Sequence, residues 1–351
     1  MVRLHNITMT ILRWVLGAVF LFSGAMKCLD PVGTAIYVEK YLATYSLSVF
    51  AAASEAIAVS LIVVECAVGL LIILGVWRKG VSLLSSIMLL VFTIITLLSA
   101  TLLPIGDCGC FGDAVKLTPW QTLFKNLALL PISIYIWRKS EGSYRPIMRD
   151  LIYTVVAMFI PLGVSLYALA TMPLVDFLPY KVGTNLREGV VQERQLIEES
   201  TRTVLRFRDT ISGAIVELDA MATECWSDES LEFVESATIM ETVGDTQYDD
   251  FVLYNADGGD VTIEVLSCKG RIALLCINDA AALDDSATEA IHHLYSLYPA
   301  SAIYVVSATA LESGLDSEHL LVDAMTLRSI IRADVGIVVL RDGVIEYKDS
   351  I

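Results

Sequence analysis

Positive charge is scarce in this chain: 24 Lys and Arg stand against 40 Asp and Glu, for a formal net charge of −16. Such a surface repels polyanions, which excludes a nucleic-acid partner. Histidine is scarcer still, with four in 351 residues. None of His5, His292, His293 and His319 falls where it could complete a metal site with the loop cysteines of the first half, so no metal is expected. No CxxC occurs among the seven cysteines, and there is no glycine-rich phosphate loop and no serine-nucleophile motif. No internal repeat of the kind that builds transporters is visible either. What the chain has in excess is apolar residues, 55% of the total, with a mean hydropathy of +0.64. That composition belongs to a membrane protein rather than a soluble domain.

The average conceals two unlike halves. Residues 1–179 carry 12 Lys/Arg and 9 Asp/Glu, and residues 180–351 carry 12 and 31. The break near residue 180 is a domain boundary. Before it, five stretches are long and apolar enough to cross ~30 Å of hydrocarbon: about 7–26, 56–77, 81–103, 120–137 and 151–171. The first lacks the small residues of a cleavage site and reads as an uncleaved helix. Residues 41–53 are too short to span and fit the interface. With the N-terminus cytoplasmic, Arg3, Arg78, Lys79, Arg138, Lys139, Arg145 and Arg149 lie inside, and Lys27, Lys40 and Lys116 outside. Seven against three obeys the positive-inside rule. Five spans then put the acidic half outside an inner membrane, in a compartment that permits disulfides.

On that same side falls PIGDCGCFGD, residues 104–113, with Cys108 and Cys110 one glycine apart. A disulfide closing so small a ring is strained, and strained bridges are the readily reduced kind. Nearby cations lower a thiol pKa, whereas Asp107 and Asp113 act oppositely. Three readings stay open: a redox-active pair, an inert bridge or free thiols, and, weakest, a metal site. Polar residues cluster at the same depth. Lys27 and Cys28 end the first span, Glu55 begins the second, and Lys125 and Asn126 lie one turn into the fourth, while Glu65 is near mid-membrane. Ionisable residues there are functional candidates by default. Each also has a plain alternative: Glu65 as a protonated, hydrogen-bonded carboxyl, Lys27 as a snorkelling amine, Lys125 as a snorkelling amine or a partner of Glu55, and Asn126 as an interhelical hydrogen-bonder. Cys28 is the candidate resolving thiol. Cys66 reads as a small buried apolar residue.

Taken in order, Phe22-Ser23-Gly24-Ala25-Met26-Lys27 with Asp30-Pro31, Glu65 with Gly69 and Gly75, Cys108-Gly109-Cys110-Phe111-Gly112, and Trp120 with Lys125-Asn126 resemble the DoxX-like membrane proteins of the methylamine-utilisation MauE group. The likeness spans about residues 7–140. It implies a four-helix membrane core associated with thiol–disulfide chemistry, in a family that supports maturation of a disulfide-rich methylamine dehydrogenase subunit.

In the acidic half, residues 203–217 alternate as two edge strands around Ser212-Gly213, and 222–250 show no clear order. From residue 251 the rhythm becomes strand 271–277, helix 280–298, strand 301–308, helix over most of 317–332, and a hairpin over 336–347 turning at Asp342-Gly343. That order resembles a thioredoxin-like fold. Its redox motif is missing: Asn278-Asp279 stand where a CxxC would open the helix, and Asp334-Val335 where a cis-proline would precede the hairpin. Cys276 reads as packing inside a strand, and Cys225 with Cys268 as a pair able to bridge.

The reading is therefore an α-helical membrane bundle followed by an α/β soluble domain. Residues 1–140 form the MauE-like four-helix core and 141–179 a fifth transmembrane helix and exit linker. Residues 180–250 make a mixed extracytoplasmic segment, and 251–351 a thioredoxin-like domain without active-site cysteines. The expected function is thiol–disulfide redox, or disulfide-dependent maturation of an extracytoplasmic client, through Cys108 and Cys110. Lys125, Lys27 and Glu65 would tune their charge, and a membrane quinone is a candidate electron acceptor. Whether this amounts to an enzyme stays open. The alternative is a non-enzymatic membrane scaffold whose outer domain holds the client.

Overall fold

The structure is a computed structural model that describes residues 2–102, 109–140, 147–210, 212–219, 230–240, 247–248, 250–283, 285–297, 299, 302–311 and 317–351. Its first half is helical: α1 (Val2–Leu29), α2 (Pro31–Thr44), α3 (Ser54–Leu74), α4 (Arg78–Thr101), α5 (Pro119–Lys139) and α6 (Met148–Ala170), with a short extended stretch β1 (Cys110–Asp113) between α4 and α5. Four segments among the described residues are long and apolar enough to cross a membrane, Ile7–Leu29, Ser48–Leu74, Arg78–Thr101 and Met148–Ala170. These helices leave Trp14, Ile87, Ile94, Phe159 and Ile160 half exposed or more, an apolar exterior that lipid covers. The expected fourth span, α5, is not among them, because Gln121, Lys125 and Asn126 dilute its hydropathy. It nevertheless packs along α4, where Ser85 and Ser86 Oγ lie 2.7 and 2.8 Å from Ser133 Oγ.

Local chemistry sets the helix ends. Asp30 caps α2 by accepting from Gly33 N at 2.8 Å, with Pro31 at the first helical position. Thr118 and Gln121 form a capping box that starts α5. At its other end α3 stops at Gly75, whose φ of +71° suits a residue without a side chain, and Arg13 donates to the freed carbonyls of Ile72 and Ile73. Glycine also brings α1 and α3 together. A Cβ at Gly69 would lie 2.5 Å from Leu21 N and 2.8 Å from Gly17 O, so the two backbones nearly touch.

The second half contains α7 (Leu186–Ser200), β2 (Thr201–Asp209), β3 (Ile215–Asp219), β4 (Leu231–Met240), α8 (Thr262–Leu266), β5 (Arg271–Ile277), α9 (Asp285–Leu297), β6 (Ile303–Ser307), β7 (Glu318–Leu321), α10 (Ala324–Ile330), β8 (Val335–Arg341) and β9 (Val344–Ser350). A three-stranded antiparallel sheet runs β3-β2-β4. The expected hairpin over 203–217 is there, but β2 is the central strand and not an edge. Residues 231–240, which show no order in the sequence, supply its second neighbour.

The main sheet runs β7-β6-β5-β8-β9, with β5, β6 and β7 parallel and β8 and β9 antiparallel additions. Alternate residues of β5 face opposite cores. Ile272, Leu274 and Cys276 join Leu186, Phe251 and Leu327 on one side, and Ala273, Leu275 and Ile277 join Ile291 and Leu294 of α9 on the other. The β8–β9 hairpin turns at Asp342 and Gly343, with φ of 52° and 84°. One expectation fails: residues 318–321 are the edge strand β7, not helix, and only 324–330 coil into α10. Pairing with β6, and the bridge from Leu321 to Tyr254, outweigh the local helical pattern.

The two halves touch through ion pairs. Arg332, just before β8, has a fully buried side chain that reaches Asp30 Oδ2 at 3.0 Å and Asp176 Oδ1 at 3.4 Å. Arg328 of α10 binds Glu39 at 3.0 Å and Glu55 at 2.7 Å. Lys348 completes the contact on Asp176 at 2.9 Å. Glu55 thus pairs with the acidic half's arginine, not with Lys125 as its depth suggests.

Candidate functional site

The end of the bundle that meets the second half also carries the described part of the cysteine loop. Cys108 lies outside the described residues, as does Cys225 of the expected Cys225–Cys268 pair. Cys110 opens β1, which lies against α1 and α2. The loop is pinned at three points. Ser23 Oγ of α1 donates to the Cys110 carbonyl at 2.5 Å, and Tyr37 Oη of α2 donates to Asp113 Oδ1 at 2.8 Å. Phe111 packs edge-on to Phe22, with Lys125 Nζ 4.3 Å from the Phe111 ring centroid. Gly109 and Gly112 both take φ of +57°, and a side chain at Gly109 would strike the Tyr37 ring.

Beneath the loop lies a buried ion pair. Lys27 Nζ sits 2.7 and 2.9 Å from Glu65 Oε1 and Oε2, with both residues under 5% exposed. Ser23 links this pair to the loop, since it lies 2.9 Å from Glu65 Oε2, 3.3 Å from Lys27 Nζ and bonded to Cys110. Lys27 turns inward rather than snorkelling outward, and Glu65 bonds to Ser23 and Lys27 of the neighbouring α1. Helix geometry explains the convergence, because Ser23 and Lys27 are four residues apart on one face of α1 and Gly24 lets α3 close to bring Glu65 in.

Lys27, Glu65, Lys125, Asn126 and Cys110 line one chamber of about 540 Å3, walled by apolar residues such as Phe20, Leu61, Leu89, Phe92 and Leu129. Cys28 does not line it. Its Sγ faces α6, 3.5 Å from both the Pro161 carbonyl and Ser165 Oγ. Cys66 is buried beside Gly24. Among the described residues no group of three or more His, Cys, Asp or Glu could hold a metal.

In the second half, Cys276 is wholly buried in β5, and burial pushes its thiol up to about 12, which removes it from thiolate chemistry. Where a CxxC would stand, Asp279 instead accepts from Ala281 N at 2.9 Å, and Asn278 Nδ2 donates to the Ile331 and Ala333 carbonyls at 3.0 and 2.7 Å. His319 Nε2 pairs with Ser307 Oγ at 2.7 Å.

Sequence reasoning missed three participants. Ser23 stands in the quoted motif but carries no charge to mark it as a link. Asp30 and Arg332 are 302 residues apart, so no local pattern could pair them.

With this geometry in place, comparison adds a likeness. Residues 5–138 match the model of the family described as methylamine utilisation protein MauE. The helical first half is therefore similar to MauE, and the match covers the stretch whose motifs resemble that family. Residues after 138 lie outside it. No curated protein and no solved structure matches the chain.

Proposed function

We propose that this protein is a MauE-type membrane accessory factor that exchanges disulfides with an extracytoplasmic client through Cys108 and Cys110. The observation that carries the reading is that Cys110 lines the same chamber as Lys27, Glu65 and Lys125, with Ser23 Oγ donating to its carbonyl and accepting from Lys27 Nζ. A client thiolate attacks the Cys108–Cys110 bond and forms a mixed disulfide while releasing one loop thiolate. A second client thiol resolves it, so two electrons and two protons pass to the loop. A membrane-soluble acceptor then reoxidises the pair. Lys125 holds a cation over the Phe111 ring of the loop, and Glu65 holds Lys27 in place.

In this reading α5 also spans, as the fourth of five helices, and the loop and the acidic half share the extracytoplasmic side of an inner membrane. The 21-residue length of α5 and its packing along α4 support it. The second half reads as thioredoxin-like on its sheet order, with Arg332 and Arg328 of the segment before β8 engaged by the bundle. It would position the client without exchanging electrons itself. The family's printed role, methylamine utilisation, makes a methylamine-oxidising client one candidate.

The test is thiol trapping in whole cells with an impermeant alkylating reagent. Cys108 and Cys110 should shift between bonded and free as oxidant or reductant is supplied. One fixed state under all conditions would remove the redox reading. A second reading, a non-enzymatic assembly scaffold, is favoured by the buried Arg332–Asp30 contact and by the missing CxxC. Full complementation by a Cys108→Ser/Cys110→Ser double variant would decide for it.

A further inference from the structure

The chamber beside Cys110 holds an unmet demand for a ligand. Asn126 is 2% exposed, and its Nδ2 is buried with no hydrogen-bond partner among the described residues. Tyr45 Oη, from the turn after α2, is likewise buried and unpartnered, and both side chains line this chamber. Buried polar atoms are normally satisfied, so two orphans in one cavity mark a place where something else supplies the partner.

The chemistry of the orphans narrows what fits. An amide Nδ2 can only donate, so the ligand must present an acceptor oxygen. A phenolic hydroxyl can either donate or accept, which a carbonyl or a reduced hydroxyl satisfies in turn. The walls are apolar, with Phe20 and Phe92 among them, so sugars, nucleotides and free phosphates are excluded, whereas a flat ring carried on an apolar body is accommodated. A bare acyl chain would leave both polar atoms unpaired. Lys125 adds a cation that also lines the chamber, suited to an oxygen that gains negative charge.

We infer that this chamber binds the head ring of a membrane quinone, with Asn126 and Tyr45 bonded to ring oxygens and Lys125 beside them. The inference rests on the redox reading for its purpose, because Cys110 shares the chamber and a quinone is a two-electron acceptor soluble in the bilayer. The exchange balances: the Cys108 and Cys110 thiols lose two electrons and two protons and gain an S–S bond, and the two ring carbonyls become hydroxyls. No other oxidant is needed.

The experiment measures binding of decylubiquinone and of menadione to the purified full chain in detergent micelles by equilibrium dialysis, with palmitate as competitor. We expect saturable binding of at least one quinone that palmitate does not displace. Asn126→Leu should weaken it tenfold or more, and Tyr45→Phe several-fold. Asn126→Leu replaces an orphan amide by an apolar side chain of similar size, so its thermal midpoint should equal or exceed that of the parent, which separates lost binding from lost folding. The Cys108→Ser/Cys110→Ser variant should still bind quinone. If neither quinone binds, if palmitate competes fully, or if Asn126→Leu binds as well as the parent, the quinone site is wrong even where the loop thiols cycle. If quinone binds as described while the thiols stay in one state, the site stands and the disulfide-exchange function falls.

Discussion

Lys27 Nζ of α1 lies within 3 Å of both carboxylate oxygens of Glu65 on α3. Both side chains are at most 5% exposed and each is the other's ion-pair partner. Ser23 extends the pair to the backbone of Cys110. The pair therefore joins two tasks: it closes the helix contact and it fixes the height of the cysteine loop over the chamber.

Breaking that pair from one side should be costly. Glu65→Gln or Lys27→Met alone leaves a buried charge uncompensated, and removing one member of such a pair costs about 3–5 kcal/mol. The Lys27→Met/Glu65→Leu double variant removes both charges and should regain most of the thermal midpoint in detergent. A double variant no more stable than the singles would show that the two charges do not act as a unit.

The contact between the halves gives a graded prediction. Arg332 is buried between Asp30 and Asp176, whereas Arg328 is partly exposed on Glu39 and Glu55. Arg332→Ala should cost about 3–5 kcal/mol of docking by the same argument, and Arg328→Ala about 1 kcal/mol or less. Limited proteolysis reads this directly, because an undocked second half exposes the linker between residues 171 and 184. Cleavage should accelerate strongly for Arg332→Ala and slightly for Arg328→Ala. Equal rates in both variants would mean the arginines do not hold the halves together.

How much of this was legible in the sequence follows the range of the interactions. Hydropathy gave the membrane helices because lipid acts on each segment separately, and the 271–277 strand and the Asp342-Gly343 turn were visible because their signals are local. The stretch 317–332 misled, since edge strand β7 owes its conformation to β6 rather than to its own pattern. The site was half legible. Lys27, Lys125 and Cys110 stand out in the sequence as charges or a thiol at one depth and Glu65 as a carboxyl nearer mid-membrane, and all four line one chamber. Depth alone gave no azimuth, so Cys28, one residue on from Lys27 and therefore turned about 100° around the helix, was grouped with them although its sulfur faces α6. Asn126 read as an interhelical hydrogen-bonder, and only the packed structure leaves its Nδ2 unpartnered among the described residues.

Helix contact by glycine is tested by adding carbon. At Gly69 a Cβ would sit 2.5 Å from Leu21 N, a backbone atom that cannot move aside. Gly69→Val should force α1 and α3 apart and abolish folded protein on size exclusion in detergent. Gly163 in α6 has nothing within 4 Å of its would-be Cβ. Gly163→Ala should be tolerated, and even stabilising by about 0.5–1 kcal/mol through helix propensity. Folded Gly69→Val protein with a parental midpoint would refute the close approach.

His319 supplies a pH dependence outside the membrane. Ser307 Oγ donates to the Thr309 carbonyl at 2.6 Å, so it accepts from His319 Nε2–H at 2.7 Å. Burial lowers the imidazole pKa below its ordinary 6.5. Between the lowered value and 6.5 the folded chain binds fewer protons than the unfolded one, so stability rises with pH across that window. The contribution is complete above about 6.5 and is lost as pH falls through the folded value. His319→Gln keeps an N–H donor for Ser307 but cannot titrate. Calorimetric midpoints of the second-half transition, compared at pH 7.5 and pH 5.5, should fall less for His319→Gln than for the parent. An equal fall in both would place the acid sensitivity on groups other than His319.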